Sequence, residues 1–171
     1  MNRGVILVVV ALVAAGTGWW LFGRGDDSDR APSVHVEWLG SHRGETALPG
    51  RIAWCPVTRT ATLSAMSNDT GLMVNLLEAD SLSATAHPVI SPEARDQAPH
   101  PSATAAIRWA SDSTGIYGFR SVSGLVNLTE VGDRVSGSLD IRMRAPVGFD
   151  TLVVRADFRD LPVVTSAVGC P

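Results

Sequence analysis

The sequence predicts an all-β domain, an antiparallel β-sandwich or small β-barrel of about eight to nine strands, preceded by a single N-terminal transmembrane helix. Three observations support this prediction. Apolar and polar residues alternate with a period of two, turn residues recur about every ten positions, and the chain opens with a long uncharged run. Alternation with a period of two is typical of a strand with one buried face.

The uncharged run covers residues 4–22 and predicts a membrane anchor, so the lipid bilayer is its expected partner. Its nineteen residues would span about 28 Å as a helix, close to the bilayer core thickness of about 30 Å. Arg3 precedes the run and Arg24 follows it, while Trp19 and Trp20 suit the boundary between lipid and water. A cleaved signal peptide is the alternative interpretation of the same run.

The anchor divides the chain into three parts. Residues 1–22 are the anchor, residues 23–32 are a flexible spacer rich in Gly and Asp, and residues 33–171 are the β-domain. Basic residues favour the cytoplasmic side of a membrane span, and Arg3 lies on the short N-terminal side. We therefore expect a single-pass protein with a cytoplasmic N-terminus and an extracytoplasmic domain, in the periplasm or at the cell surface.

The composition argues against nucleic acid as a partner. The chain has a net charge of −3, and all fourteen of its basic residues are arginines. An acidic surface without a basic stripe fits a phosphate backbone poorly. The absence of lysine is typical of a GC-rich genome and favours a bacterial source.

The first half of the domain contains three alternating segments and one helical segment. Apolar residues at every second position predict strands at residues 34–38, 61–65 and 72–77. Residues 92–97 have helical composition, but the surrounding prolines limit this helix to one or two turns. The helix lies within a long irregular connection at residues 87–102.

The second half of the domain has the more regular pattern. Alternation predicts strands at residues 105–109, 116–122, 126–128, 133–145 and 151–159. The last two segments are joined by the turn sequence Pro146-Val147-Gly148, so they predict an antiparallel pair.

Two cysteines, Cys55 and Cys170, predict a structural disulfide. Outside the cytoplasm an even number of cysteines normally oxidises. The bond would fasten the C-terminus to an early strand, where fraying would otherwise begin. Free thiols and a catalytic or metal-binding role are the alternatives, but a redox-active pair needs closer spacing such as C-x-x-C.

Histidines near the proline-rich connection are the candidate metal ligands. His87 and His100 lie at its two ends, and Glu93, Asp96 or His42 would complete a coordination sphere. The spacing lacks the close repeats of known metal motifs. We therefore expect solvated loop histidines, with no metal and no cofactor.

His35 and Glu37 share one face of the first predicted strand and are the second candidate pair. They are two residues apart and would orient a ligand or each other. A surface pair on an edge strand is the interpretation that we favour.

The sequence contains no recognisable catalytic motif, neither a G-x-S-x-G elbow nor an S-x-x-K pair. We therefore assign no catalytic residue and expect a binding module of the cell envelope rather than an enzyme. Its partner would be an envelope protein, bound through a sheet edge or an exposed face, or a small apolar ligand if the sheet closes into a cup. A hydrolase with a site built from dispersed loops and a purely structural envelope component are the alternatives.

Overall fold

The computed structural model describes residues 32–77, 81–111, 115–165 and 170, which form an all-β domain of nine strands. The strands are β1 Ser33–Gly40, β2 Gly44–Cys55, β3 Thr60–Met66, β4 Thr70–Leu77, β5 Ala86–Val89, β6 Ser102–Ser111, β7 Gly115–Val131, β8 Arg134–Arg144 and β9 Thr151–Thr165. A 3-10 helix at Pro92–Gln97 follows β5, where the sequence predicts a short helix. The predicted all-β class is confirmed.

The strands close into a barrel in the order β1-β2-β3-β4-β6-β5-β7-β8-β9, and β9 pairs back with β1. Of the two predicted architectures, a sandwich and a barrel, the structure therefore has the barrel. Closing a sheet removes its edges. β1, which carries His35 and Glu37, pairs with β2 on one side and β9 on the other, so the predicted edge position of these two residues is wrong.

The sheet is mixed, which corrects the prediction of a purely antiparallel sheet. β2 pairs with β9 in parallel, and β5 pairs with β6 in parallel. Both β2 and β9 flank β1, and both continue beyond Ser33, its first residue. There they meet each other and pair Ile52 with Val163 and Trp54 with Thr165. Two strands that are each antiparallel to the same neighbour are necessarily parallel to each other.

The strand boundaries correct the sequence prediction in several places, and β9 continues past its predicted end at Arg159 to Thr165. β2 and β5 are strands that the sequence did not predict, and residues 116–122 and 126–128 belong to a single strand, β7. β7 is 17 residues long, and its pairing with β8 shifts register near Ser121 and near Leu128. A bulge bends a strand while its pairing continues, so β7 stays one strand as it follows the curved sheet.

Side chains from all nine strands fill the barrel interior. Inward residues alternate with outward ones and form one buried cluster. Its members include Leu63, Ile107, Ile141 and Phe158, each at most 1 % exposed. A barrel of about eight strands is just wide enough for side chains to fill it. The interior is therefore the hydrophobic core of the domain.

Cys55 and Cys170 form the predicted disulfide. Cys55 is the last residue of β2, and the two Cα atoms are 5.7 Å apart across a sequence separation of 115 residues. The bond fastens the C-terminal segment to the end of the barrel where β1 also begins, because β2 runs antiparallel to β1.

Within the described residues no helix is long and apolar enough to cross a bilayer. The predicted anchor at residues 4–22 lies outside the described residues, as does the predicted spacer apart from Pro32. The anchor and the orientation of the chain remain predictions.

Candidate functional site

The histidines that the sequence predicts to be solvated differ in their exposure. His87 lies in β5 and is 0 % exposed, so the prediction of a solvated loop residue is wrong for it. Its neighbours Ala86 and Pro88 are exposed while Val89 is buried, and this alternation turns His87 inward. His100 is exposed in the connection between the 3-10 helix and β6.

The structure does not bring the candidate metal ligands together. His42 lies in the loop between β1 and β2 against Tyr117, whereas Glu93 lies in the 3-10 helix and pairs with Arg120. Asp96 is exposed in the same helix. Among the residues that the structure describes, no group of three His, Cys, Asp or Glu side chains is placed to hold a metal ion.

Aromatic side chains fill one end of the barrel, which we call the aromatic end: Trp38, His42, Trp109, Tyr117 and Phe119. Trp109 stacks on Trp38 with ring centroids 5.2 Å apart and on Phe119 with centroids 5.5 Å apart. His42 packs on Tyr117 at 4.3 Å. Because Trp38 and Trp109 are 7 % and 9 % exposed, their rings belong to the core and are not an open aromatic platform.

Gly44 permits the close packing of the aromatic end. A Cβ atom at this position would lie 2.6 Å from Cε2 of Trp38, nearer than side-chain atoms approach in proteins. The missing side chain therefore lets the indole lie directly against β2.

A groove on the outer surface of β4, β6 and β7 is the candidate binding site, and we call it the apolar groove. It has a volume of about 400 Å³, and its lining includes Met66, Met73, Arg108, Arg120 and Pro146. Small residues lie between these side chains: Gly71, Ala106 and Gly118. Met66 is 43 % exposed and Met73 is 39 % exposed, so two flexible apolar side chains face solvent here.

Strand register assembles the apolar groove from residues far apart in the sequence. Met73 of β4 lies beside Ala106 of β6, Ala106 lies beside Arg120 of β7, and Arg120 lies beside Arg144 of β8. The next row on the same surface consists of Gly71, Arg108 and Gly118. The small residues leave open space between the longer side chains of the two rows.

The apolar groove continues at both ends. At one end it shares Arg108 with a depression of about 100 Å³ that reaches Ile116, which is 77 % exposed. At the other end it shares Arg120 with a cavity of about 440 Å³ that reaches Glu93 and Arg144. The three depressions are neighbours that share lining residues, and together we call them the channel.

Glu93 forms an ion pair with Arg120 at the second end of this channel, with Oε1 and Nη1 3.1 Å apart. A hydrogen bond to its own backbone N–H is the largest cause that lowers the pKa of Glu93 below its ordinary value; desolvation opposes this shift. A hydrogen bond from Ser91 and the charges of Arg120 and Arg144 lower the pKa further. The carboxylate is therefore ionised at neutral pH.

Ser121 of β7 lies beneath this end of the channel and links β7 to β6 and to the connection that follows β5. Its hydroxyl accepts a hydrogen bond from the N–H of Ala105 at 3.0 Å and donates one to the C=O of Ile90 at 2.7 Å. Ser121 is 2 % exposed. It bridges the point where β6 and β7 separate and β5 enters between them.

The outer surface of β8, β9 and β1, which we call the charged face, has a different character. Nε of Arg155 lies 3.0 Å from Oδ2 of Asp140, and Arg155 also lies beside Glu37. In the next row Asp157 lies beside His35. The second candidate pair of the sequence therefore belongs to a surface where opposite charges alternate.

The residues of the apolar groove were not recognisable as a site from the sequence. Leu72, Met73 and Val74 are three consecutive apolar residues of β4. Leu72 and Val74 face the core, whereas Met73 faces outward. An apolar residue at an outward position was the one available signal. The neighbours of Met73 across β6 and β7 follow from register, which the sequence does not specify.

Comparison of the chain with protein-family models, with curated proteins and with solved structures finds no match, so the functional argument depends on the fold and its surfaces.

Proposed function

We propose that this protein is a membrane-anchored binding module of the cell envelope, and that its extracytoplasmic β-domain binds another protein through the apolar groove. The proposal assigns no catalytic step. Residues 4–22 supply the anchor, with the N-terminus in the cytoplasm. The observation that carries the proposal is the concentration of exposed apolar side chains around one surface of a barrel whose interior is already filled.

The filled interior argues against carriage of a small apolar ligand. Ligand-binding barrels enclose a cavity that opens at one end. Here Phe158, Ile107 and Leu63 occupy the interior, and the stacked rings of Trp38 and Trp109 fill one end. An apolar ligand inside this barrel would have to displace the core.

The closed sheet argues against binding by strand addition. That mode needs an edge strand with unpaired backbone groups. All nine strands have a hydrogen-bonded strand on each side, and β9 pairs with β1 to close the barrel. A partner is therefore expected to contact side chains on an outer face rather than a sheet edge.

Exposed apolar side chains favour the groove surface over the rest of the barrel. Of the nine exposed large hydrophobic residues in the described part of the chain, six lie in or beside the channel or in the loop that contributes Pro146: Met66, Met73, Ile116, Val122, Val147 and Phe149. The other three, Val57, Leu125 and Val164, lie elsewhere on the domain. Phe149 is 98 % exposed and Val147 is 88 % exposed. Contiguous exposed apolar surface is typical of protein-interaction sites, in which aromatic residues and methionine are enriched.

The buried polar residues give no support to the hydrolase alternative. His87 and Ser102 are both 0 % exposed, so a substrate in solvent would not reach their side chains. A nucleophile and its base must contact the reacting atoms.

Paired substitutions on the two faces test the proposal. The full-length chain is extracted with mild detergent from membranes of its source cells, and its complex is sized by gel filtration. Met73→Asp places a carboxylate in the apolar groove, and Ala47→Asp places one on the exposed surface of β2 beside His35. We expect Met73→Asp to release the chain from its complex and Ala47→Asp to leave the complex intact.

Two results would contradict the proposal. One is the same outcome for both variants, so that the complex is lost with both or retained with both. The other is a complex that contains only copies of this chain, which would favour the structural-component alternative.

A further inference from the structure

We infer that the apolar groove recognises an extended acidic segment of the partner, in which carboxylates alternate with apolar side chains. This inference rests on the proposed function and adds the chemical class of the segment. It follows from the course, the apolar lining and the charge of the channel.

The course of the channel fits an extended chain. The channel crosses the sheet from Met66 at the end of β3 to Arg144 at the end of β8. This path covers four strand spacings, because β6 pairs directly with β7 here, and at about 4.8 Å each they give about 19 Å. An extended peptide of about six residues has this length.

The apolar side chains of the segment would lie in the central part of the groove. Met66 and Met73 stand on one side of it, and Gly71, Ala106 and Gly118 leave space between the rows. No atom lies within 4 Å of the position that a Cβ on Gly118 would take. Methionine adapts its shape to different apolar partners.

The charge of the groove selects the polar residues of the segment. The central part is lined by Arg108 and Arg120 and by no carboxylate, while Asp69 and Glu93 lie in the two outer depressions. Glu93 forms an ion pair with Arg120 from its depression, so a carboxylate of the partner would bind Arg108 and compete with Glu93 for Arg120. This basic centre belongs to a chain with a net charge of −3. Arginine binds carboxylates with paired hydrogen bonds, so the centre of the groove favours an acidic partner.

The charge also argues against a segment with basic residues. A lysine or arginine in the central groove would face Arg108 and Arg120, and like charges in contact oppose binding. Residues that alternate along an extended chain point to opposite sides. A segment with carboxylates at every second position would therefore turn its carboxylates toward the arginines of β6 and β7 and its apolar side chains toward the methionines of β3 and β4.

A peptide titration tests the inference. The full-length chain in zwitterionic detergent micelles is titrated into a fluorescent eight-residue peptide of alternating Asp and Val, and binding is followed by fluorescence anisotropy. A peptide with Ser in place of Asp and one with Lys in place of Asp are the controls. We expect the Ser peptide to bind about threefold to tenfold more weakly than the Asp peptide, and the Lys peptide to bind more weakly still.

Matched variants locate the binding. Arg108→Gln combined with Arg120→Gln should weaken binding of the Asp peptide to the level of the Ser peptide. Arg155→Gln combined with Arg159→Gln removes the same charge from the outer surface of β9 and should leave binding unchanged. Arg120 and Arg155 are matched controls, since each makes one exposed ion pair, with Glu93 and Asp140 respectively.

Equal binding of the Asp and Ser peptides, or equal losses with the two arginine double variants, would overturn the inference. Direct binding of the chain to phosphatidylglycerol vesicles that is lost with Arg108→Gln and Arg120→Gln, without binding of the Asp peptide, would assign the groove to an anionic lipid surface instead. If the Asp peptide fails to bind while Met73→Asp still disrupts the native complex, only the acidic class is wrong. If the Asp peptide fails to bind and Met73→Asp leaves the native complex intact, both the inference and the proposed function are wrong.

Discussion

The apolar groove and the charged face are outer surfaces of the same barrel, but their outward residues differ in kind. On the charged face, opposite charges such as Asp140 and Arg155 satisfy each other across neighbouring strands. On the groove surface, Met73 and Arg120 flank the small residue Ala106 and leave an open channel. Both faces carry an exposed ion pair, but only the groove surface also presents exposed methionines, which we propose a partner covers.

The inward-facing residues of the strands that form these two surfaces do not differ in this way. Ile107 of β6 lies behind the groove and Ile141 of β8 lies behind the charged face, and both are at most 1 % exposed. The strands of both faces therefore contribute to the same core. In this barrel the inward residues form one common core, and the two faces differ in their outward residues.

Truncation of the two inward isoleucines should have the largest effect. Ile107→Ala and Ile141→Ala each remove side-chain volume from the common core, and each should lower the free energy of unfolding by about 2–5 kcal/mol. Denaturant unfolding followed by tryptophan fluorescence measures both losses. A cost under about 1 kcal/mol for only one of them would show that the two faces do not share one core.

Loss of the disulfide should have the next largest effect. Combined substitution Cys55→Ala and Cys170→Ala should lower the free energy of unfolding by about 2–4 kcal/mol, because the cross-link restricts the unfolded chain. The bond lies at the end of β2 and not in the apolar groove, so peptide binding should not change. Mass spectrometry after alkylation without reductant checks that the bond is present; two alkylated cysteines in the wild-type chain would refute it.

Removal of the Ser121 hydroxyl should have a smaller effect. Ser121→Ala leaves the N–H of Ala105 and the C=O of Ile90 without this partner, and it should cost about 1–3 kcal/mol. Ser123→Ala is the matched control, since Ser123 is exposed two residues further along β7, and it should change stability by less than about 0.5 kcal/mol. Equal effects of the two changes would argue against the bridging role of Ser121.

The smallest expected effect is the pH dependence of Glu93 at the end of the channel. Its pKa is lowered in the folded domain, so its contribution to stability is present above the unfolded pKa and is lost as the pH falls through the folded pKa. Carboxyl-carbon NMR should show a midpoint below the ordinary glutamate value of about 4.3. Arg120→Gln should raise this midpoint only partly, because the largest cause is the hydrogen bond to the backbone N–H of Glu93. A midpoint at the ordinary value in the wild-type chain would contradict the described contacts.

The strands that the sequence predicted most closely are those with the most regular alternation. β8 and β9 alternate between the turn and the pair Gly137–Phe158, where the register shifts, and their turn sequence is typical of an antiparallel pair. β2 contains Gly44, Pro49 and Gly50, and the four-residue β5 contains Pro88, so their patterns resembled loops. The sequence predicted two strands where β7 is one, because Gly124 interrupts the alternation. In the structure Gly124 has a φ of 141° and lies close to the backbone of Asp140 in β8.

The closure and the groove depend on relations that a linear pattern does not contain. Parallel pairing of β2 with β9 arises because both strands extend past Ser33, and this depends on where three strands begin and end. The groove depends on the register that places Met73, Ala106 and Arg120 in one row. The disulfide was predictable, since the number of cysteines and the expected oxidising compartment were sufficient.

Photo-crosslinking from two surfaces of the barrel tests directly whether the apolar groove contacts another protein in the cell. Benzoyl-phenylalanine replaces Met73 in the apolar groove or Ala47 on the outer surface of β2, and the cells are irradiated before membranes are prepared. We expect a discrete covalent adduct with one other protein from position 73 and none from position 47. Adducts of equal yield from both positions, or an adduct from position 47 alone, would contradict the proposed function.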